Sequence, residues 1–270
     1  MHRFFLCTIS TIAAVFLQAQ DGDFSFGARS AGMAGASLTV SDEYALFNNI
    51  GAFGKVENHA VFVGYQHRYN LSEFQVIGGG SIFHHQFGNA GIGYYKFGDD
   101  IFSQQKLHFG IGNTLQMVSL GVALDWIQYD IESVGTKQTL AIQFGGIAEI
   151  TPQFVFGVHV FNINQATIES ESNEELPTVM KAGFSYRPTE ELMLNIEIEK
   201  DLDFDEVFKA GLEYQLVNNV FVRTGIRLEP LIGAFGVGFY LKRLTFDYAF
   251  SNDSELGNIH EVSLAYLFKK

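Results

Sequence analysis

Leu244-Thr245-Phe246-Asp247-Tyr248-Ala249-Phe250 is the stretch whose reading decides the fold. Successive side chains of an extended chain point to opposite faces. Leu244, Phe246, Tyr248 and Phe250 therefore share one side, and Thr245, Asp247 and Ala249 share the other. The same period of two runs through Leu192–Glu199, where Leu192, Leu194, Ile196 and Ile198 oppose Met193, Asn195, Glu197 and Glu199. It recurs at the end, with Val262, Leu264, Tyr266 and Phe268 against Glu261, Ser263, Ala265 and Leu267. An alternation this regular predicts strands with one apolar face.

Working outward, the pattern predicts fourteen strands at 59–69, 74–84, 87–97, 106–116, 119–131, 138–150, 154–164, 177–187, 192–200, 207–216, 220–228, 232–241, 244–251 and 259–268. These lengths suit the roughly 9–11 residues that a tilted strand needs to cross a bilayer. Alternate connections are very short: Met117-Val118, Thr151-Pro152-Gln153, Val217-Asn218-Asn219 and Lys242-Arg243. The intervening ones, 98–105, 132–137, 165–176, 201–206 and 252–258, read as longer outer loops. Tight turns at one end and longer loops at the other mark a transmembrane barrel.

A soluble β-sandwich alternates in the same way with its apolar faces turned inward, so periodicity leaves both readings open. Three features favour a closed transmembrane antiparallel β-barrel of about fourteen strands. Aromatics recur near strand ends (Tyr69, Tyr129, Tyr186, Phe250 and Phe268), as interfacial girdles would. The polar faces carry both signs of charge, at Asp125, Lys181, Arg187, Glu197, Glu199, Lys209, Glu213, Arg223, Arg227, Asp247 and Glu261. Those charges can pair across a lumen. Closure also removes the open sheet edges that lipid does not tolerate.

Composition agrees. Phe (27), Gly (28) and Tyr (11) are abundant, Pro (4) is scarce, and only 17% of the 270 residues are charged. A net charge of -13 argues against nucleic-acid binding, which requires a basic footprint. Residues 1–19 read as a signal peptide: a positive start at Arg3, an apolar core and Ala19 before a polar run. Cys7, the single cysteine, lies within it, which leaves residues 20–270 without a thiol.

Residues 20–57 do not alternate. Small residues from Gly27 to Ser37 surround Arg29, and Ser41 is placed to cap a short helix. Such a segment ahead of a barrel spanning 58–270 fits a plug inside it, with a periplasmic tail as the other reading. Arg29 is expected to pair with Glu197, Glu199 or Asp247 on the wall.

Gly27-Ala28-Arg29-Ser30-Ala31-Gly32-Met33-Ala34-Gly35-Ala36, then Asp42, then Phe47-Asn48-Asn49, resembles the N-terminal signature of FadL-like outer-membrane proteins, most of all the PorV/PorQ family. The closing segment Leu256–Phe268 resembles that family's last strand. The resemblance implies a fourteen-stranded barrel with a plug formed around Gly27, Arg29, Gly32, Gly35, Asp42, Asn48 and Asn49. It implies one of two roles: support of type IX protein secretion, with secretion proteins or exported cargo as partners, or import of small hydrophobic molecules such as long-chain fatty acids. Outer-membrane lipid and lipopolysaccharide are the expected surroundings. Where members carry Asn-Pro-Ala-Gly-Leu, this chain has Asn49-Ile50-Gly51-Ala52-Phe53 and lacks the proline.

No constellation points to an enzyme, a metal or a cofactor. Asp201-Leu-Asp203-Phe-Asp205 begins like a calcium loop, but Glu206 and Leu212 stand where the loop needs Gly and Glu. It reads as a solvated turn, as do Glu169, Glu171, Glu174 and Glu175. His84 and His85 are adjacent on a strand and so face opposite ways. His159 reads as a lumen hydrogen-bonder, and Gly78-Gly79-Gly80 as part of the wall.

Overall fold

The structure, a computed structural model, describes residues 25–168 and 174–268. The segment read as a signal peptide, and Glu169 and Glu171, lie outside them. Three one-turn helices come first: α1 (Ala28–Ala31), α2 (Ala45–Asn48) and α3 (Ile50–Phe53). Then follow β1 (Ala60–Arg68), β2 (Gln75–His85), β3 (Gly88–Gly98), β4 (Phe102–Leu115), β5 (Val118–Ile131), β6 (Gly135–Thr151) and β7 (Phe154–Phe161). A small hairpin, β8 (Thr167–Ile168) with β9 (Glu174–Glu175), interrupts the run. The rest are β10 (Val179–Tyr186), β11 (Leu192–Asp201), β12 (Val207–Val217), β13 (Val220–Arg227), β14 (Ile232–Leu241), β15 (Leu244–Asp253) and β16 (Gly257–Leu267). All but β8 and β9 form one closed antiparallel barrel, sealed where β1 pairs with β16. Its fourteen strands match the fourteen alternating segments.

The side-chain faces sort as the alternation requires. Leu194, Ile196, Leu244, Phe246, Val262 and Leu264 are exposed outward, whereas Glu197, Asp247 and Glu261 are buried. The register shows how the outer surface changes with height. On β3–β6 one cross-strand row is Ile92, Phe109, Leu124 and Ile142, and the next is Tyr94, Leu107, Trp126 and Leu140. Above these come Lys96, Gln105, Gln128 and Gln138. The apolar belt on β5 thus runs from Val118 to Trp126. That is about 27 Å along the strand and roughly 20 Å after tilting, close to a barrel's lipid-facing band.

Both barrel termini, Ala60 and Leu267, pair at one end, and most connections there span two residues (86–87, 116–117, 152–153, 218–219 and 242–243). This is the inner end. At the outer end three connections are shorter than the sequence reading expects: 99–101, 132–134 and 254–256 replace 98–105, 132–137 and 252–258. The strands run on and turn at left-handed glycines, with φ of 94° at Gly98, 106° at Gly135 and 109° at Gly257. Tyr129 is corrected too. It shares the parity of Asp125 and is buried in the lumen at 5% exposure, so it belongs to no lipid-facing girdle.

Residues 25–57 occupy the lumen. They hold many of the largest fully buried side chains, Phe26, Met33, Tyr44, Leu46, Ile50 and Phe53 among them. Ser41 caps nothing. The helix begins at Ala45, and Asp42 Oδ1 accepts the Tyr44 backbone N–H at 3.0 Å.

Candidate functional site

The candidate site is the plugged lumen, built from three kinds of contact. On β1–β6 the plug is seated by shape. Inward positions carry Gly64, Gly78, Gly91, Gly93, Gly110 and Gly121, so that bulky plug side chains can press against bare backbone. A Cβ at Gly93 would lie 2.5 Å from Phe47 Cζ, and one at Gly64 would lie 2.8 Å from Phe26 Cζ. Phe26, Tyr44, Phe47 and the wall residue Phe62 interlock with ring centroids 5.0–6.1 Å apart. That spacing is favourable for tilted and edge-on aromatic pairs.

On β11–β16 the plug is seated by charge. Arg29 meets Glu213 through two bonds of 2.8 and 2.5 Å and Asp42 through one of 3.3 Å. Its partner is therefore Glu213, and not the expected Glu197, Glu199 or Asp247. Arg223 donates to the same Glu213 at 2.5 Å, to Asp247 at 2.6 Å and to the Tyr240 hydroxyl at 3.0 Å. Above them, Lys209 bridges Glu197 at 3.1 Å and Glu199 at 2.6 Å, and Lys181 lies 3.6 Å from Glu199. Arg227 also faces the lumen, with an Nε that has no hydrogen-bond partner among the described residues.

The wall also satisfies the plug backbone, most of which lies outside regular structure. Glu261 accepts from the Gly27 N–H at 2.7 Å. Glu197 accepts from Ser37 at 3.2 Å and Leu38 at 3.1 Å. Asn195 donates to the Ala36 carbonyl at 2.9 Å, and Ser119 to that of Gly51 at 2.6 Å. Buried amides without such partners would be costly. The N-terminal motif closes on itself. Asn48 accepts from the Phe26 N–H at 2.8 Å and donates to the Phe26 carbonyl at 2.9 Å. Asn49 caps α3 at the Gly51 N–H and donates to Leu38 O at 2.7 Å. Gly27 and Gly35 take left-handed φ of 100° and 82°, and Gly32 faces Gly236 at a distance that leaves little room for a side chain.

A third group escaped the sequence reading except at Asp125 and His159. Asp125 is fully buried and accepts from His108 Nδ1 at 2.6 Å and from Gln143, with Lys106 Nζ at 3.7 Å. Gln143 Oε1 continues the chain to His159 Nε2 at 2.8 Å. The signal is present in Gln104, Lys106 and His108, which alternate toward the lumen, and the last two fall inside the expected strand 106–116.

Beyond this polar layer the outer lumen is aromatic. Tyr69, Phe74, Phe97, Phe102 and Tyr129 follow one another at centroid spacings of 5.9, 6.1, 6.3 and 6.5 Å. Lys106 Nζ ends the run, 5.2 Å from the Tyr95 ring and 5.5 Å from that of Phe161. Ile168 of β8 and Leu176, just after β9, belong to one buried apolar cluster with Tyr129, Phe161 and Val179. At the inner end a cavity of about 1220 Å³ opens between the plug and the turns, lined in part by Arg29, Lys55, Glu149, Arg187 and Glu213.

Of the residues weighed as ligands in the sequence and set aside, His84 faces inward onto the Val56 carbonyl at 3.0 Å and Asn89 at 2.8 Å, whereas His85 is exposed. Asp203 and Asp205 lie on the exposed connection between β11 and β12.

The fold is that of outer-membrane channels, which places the chain in the outer membrane. It superposes on the toluene transporter TodX of Pseudomonas putida with a TM-score of 0.68 at 11% identity, covering 92% of this chain and 99% of that one. A Pseudomonas aeruginosa FadL homologue gives 0.65 at 10% identity, covering 90% and 98%. The monoaromatic hydrocarbon channel CymD gives 0.63 at 12% identity, again covering 90% and 98%. No family model matches the sequence, and no curated protein matches it significantly.

Proposed function

We propose that this chain is a plugged outer-membrane channel for small hydrophobic molecules, aromatic compounds among them. The aromatic run from Tyr69 to Tyr129 carries the reading, because it lines the outer lumen from the β1–β2 connection across to β5 with apolar rings above the polar layer. The likeness to TodX, CymD and the FadL homologue supports the same reading.

The test is uptake of a labelled monoaromatic hydrocarbon and a labelled long-chain fatty acid by cells with and without the chain. Saturable uptake lost on deletion, and reduced by Phe97→Ser with Phe102→Ser, is the expected result. Unchanged uptake would overturn it. A secretion-supporting role of PorV/PorQ type is the second reading, favoured by the motif Gly27–Ala36 with Asn48-Asn49. Accumulation of unprocessed exported proteins in the same deletion strain would support that role instead.

A further inference from the structure

One patch of the outer surface carries a row of linked glutamines, and it sits where the apolar belt ends. On β3–β6 the belt's last row carries Tyr94 and Trp126, and the next row is Lys96, Gln105, Gln128 and Gln138. Asp130 and Thr136 follow. These side chains form one connected outward network. Tyr94 donates to Gln105 Oε1 at 2.9 Å, and Gln105 and Gln128 donate to Asp130 at 3.0 and 2.8 Å. Gln138 donates to Gln128 at 3.3 Å, and Trp126 Nε1 donates to Gln138 at 3.3 Å. On the far wall the apolar rows reach Ile198 and Phe208, and Lys200, not an amide row, separates Ile198 from the connection at 202–206.

We infer that this amide row binds neutral sugar units of outer-leaflet glycolipids. Three observations select that occupant. The row lies just above side chains that face lipid tails, so it meets the headgroup layer and not bulk water. Each glutamine spends one N–H within the network and keeps a second for a ligand hydroxyl. The indole and phenol below supply flat apolar surface. The charge is wrong for a phosphate: Lys96 is the single cation in these rows, against Asp130 in them and Asp99, Asp100 and Glu132 on the adjoining hairpin tips. The same anions disfavour a second copy of this chain placed face to face. The inference depends on the outer-membrane location and is independent of what crosses the lumen.

Trp126 is the only tryptophan, so its fluorescence reports this patch alone. The full mature chain, folded into phosphatidylethanolamine vesicles, would be titrated with a neutral diglycosyl lipid carrying a nitroxide on its sugar. The same nitroxide on phosphatidylethanolamine and on phosphatidylglycerol serves for comparison. The glycolipid is expected to quench saturably at about tenfold lower mole fraction, roughly what one or two net hydrogen bonds supply. Gln105→Leu with Gln128→Leu should abolish the preference while lipids brominated in their acyl chains still quench. A free neutral disaccharide should relieve quenching of the unaltered protein, which keeps the test decisive if the double variant does not fold. Equal quenching by all three lipids would overturn the inference, as would equal quenching by phosphatidylglycerol or a preference that survives both the variant and the disaccharide. A dimer whose dissociation exposes Trp126 would overturn it too, because the patch would then be covered by a second copy.

Discussion

The two sides of the barrel hold one plug by different balances of shape and charge, although glycine also admits Met33 at Gly211 and Gly225 on the charged side. Across β1–β6 the wall removes its own side chains, and Phe26, Leu46, Phe47 and Ile50 fill the space left by glycine. Across β11–β16 the wall keeps long charged side chains, and Arg29, Ser37 and Leu38 are gripped by Glu213 and Glu197. Packing of the first kind is insensitive to salt and pH and yields only if volumes change. Ionic seating of the second kind is directional, and it fails badly when one partner is removed, because the other charge remains buried. A plug held this way has one side suited to serve as a pivot and one suited to serve as a latch.

The largest effect should come from the latch. Glu213 is shared by Arg29 and Arg223, so Glu213→Ala removes the carboxylate that joins them and leaves Arg29 with Asp42 alone and Arg223 with Asp247 and Tyr240. A loss of about 3–5 kcal/mol is expected, the usual cost of breaking a buried pair from one side. The thermal midpoint of heat-modifiable gel migration would measure it. Conductance in planar bilayers should rise as the plug loosens. An unchanged midpoint would mean that the grip on this side is ornamental and that shape alone seats the plug.

A smaller effect should come from the pivot. Gly93→Ala puts a methyl against Phe47, at a cost of about 1–3 kcal/mol, as overpacking does in well-filled interiors. Phe47→Leu shortens the opposing side chain and should recover part of that loss in the double variant. Additive losses would show that Gly93 is there for the strand and not for the plug, and the contrast between the two sides would weaken.

How much of this contrast can be read in the sequence depends on the kind of contact. Strand faces are legible, because parity is local: Glu197, Glu213 and Asp247 face inward by alternation alone, and Tyr129 follows from Asp125 by the same rule. Pairing across the lumen is not legible. Arg29 is 184 residues from Glu213, and their meeting is set by register around the ring and the path of an irregular plug. The outer turns were missed for a local reason, since Gly98, Gly135 and Gly257 reverse the chain within stretches that read as loops. The glycines of β2–β5 look like weak strand residues until the plug that needs them is in place.

The smallest effect separates the sides by pH. Glu43 belongs to the plug and is buried on the charged side, where its Oε1 accepts from Thr245 at 3.0 Å. Burial, then the neighbouring Asp42, raises its pKa from 4.5 to about 7, and Arg29 only partly offsets this. A carboxyl with a raised folded-state value binds its proton more tightly folded than unfolded. The stability it contributes is therefore present at low pH and lost as pH climbs from about 4.5 to about 7. Between pH 6 and pH 8 the remaining loss is about 1 kcal/mol, visible as a falling thermal midpoint. Glu43→Gln should flatten that decline, because an amide accepts the Thr245 hydroxyl at every pH. Gly93→Ala should lower the whole curve without changing its slope. If both substitutions changed the slope alike, the shape-held and charge-held sides would be one cooperative unit, and the division drawn between them would fail.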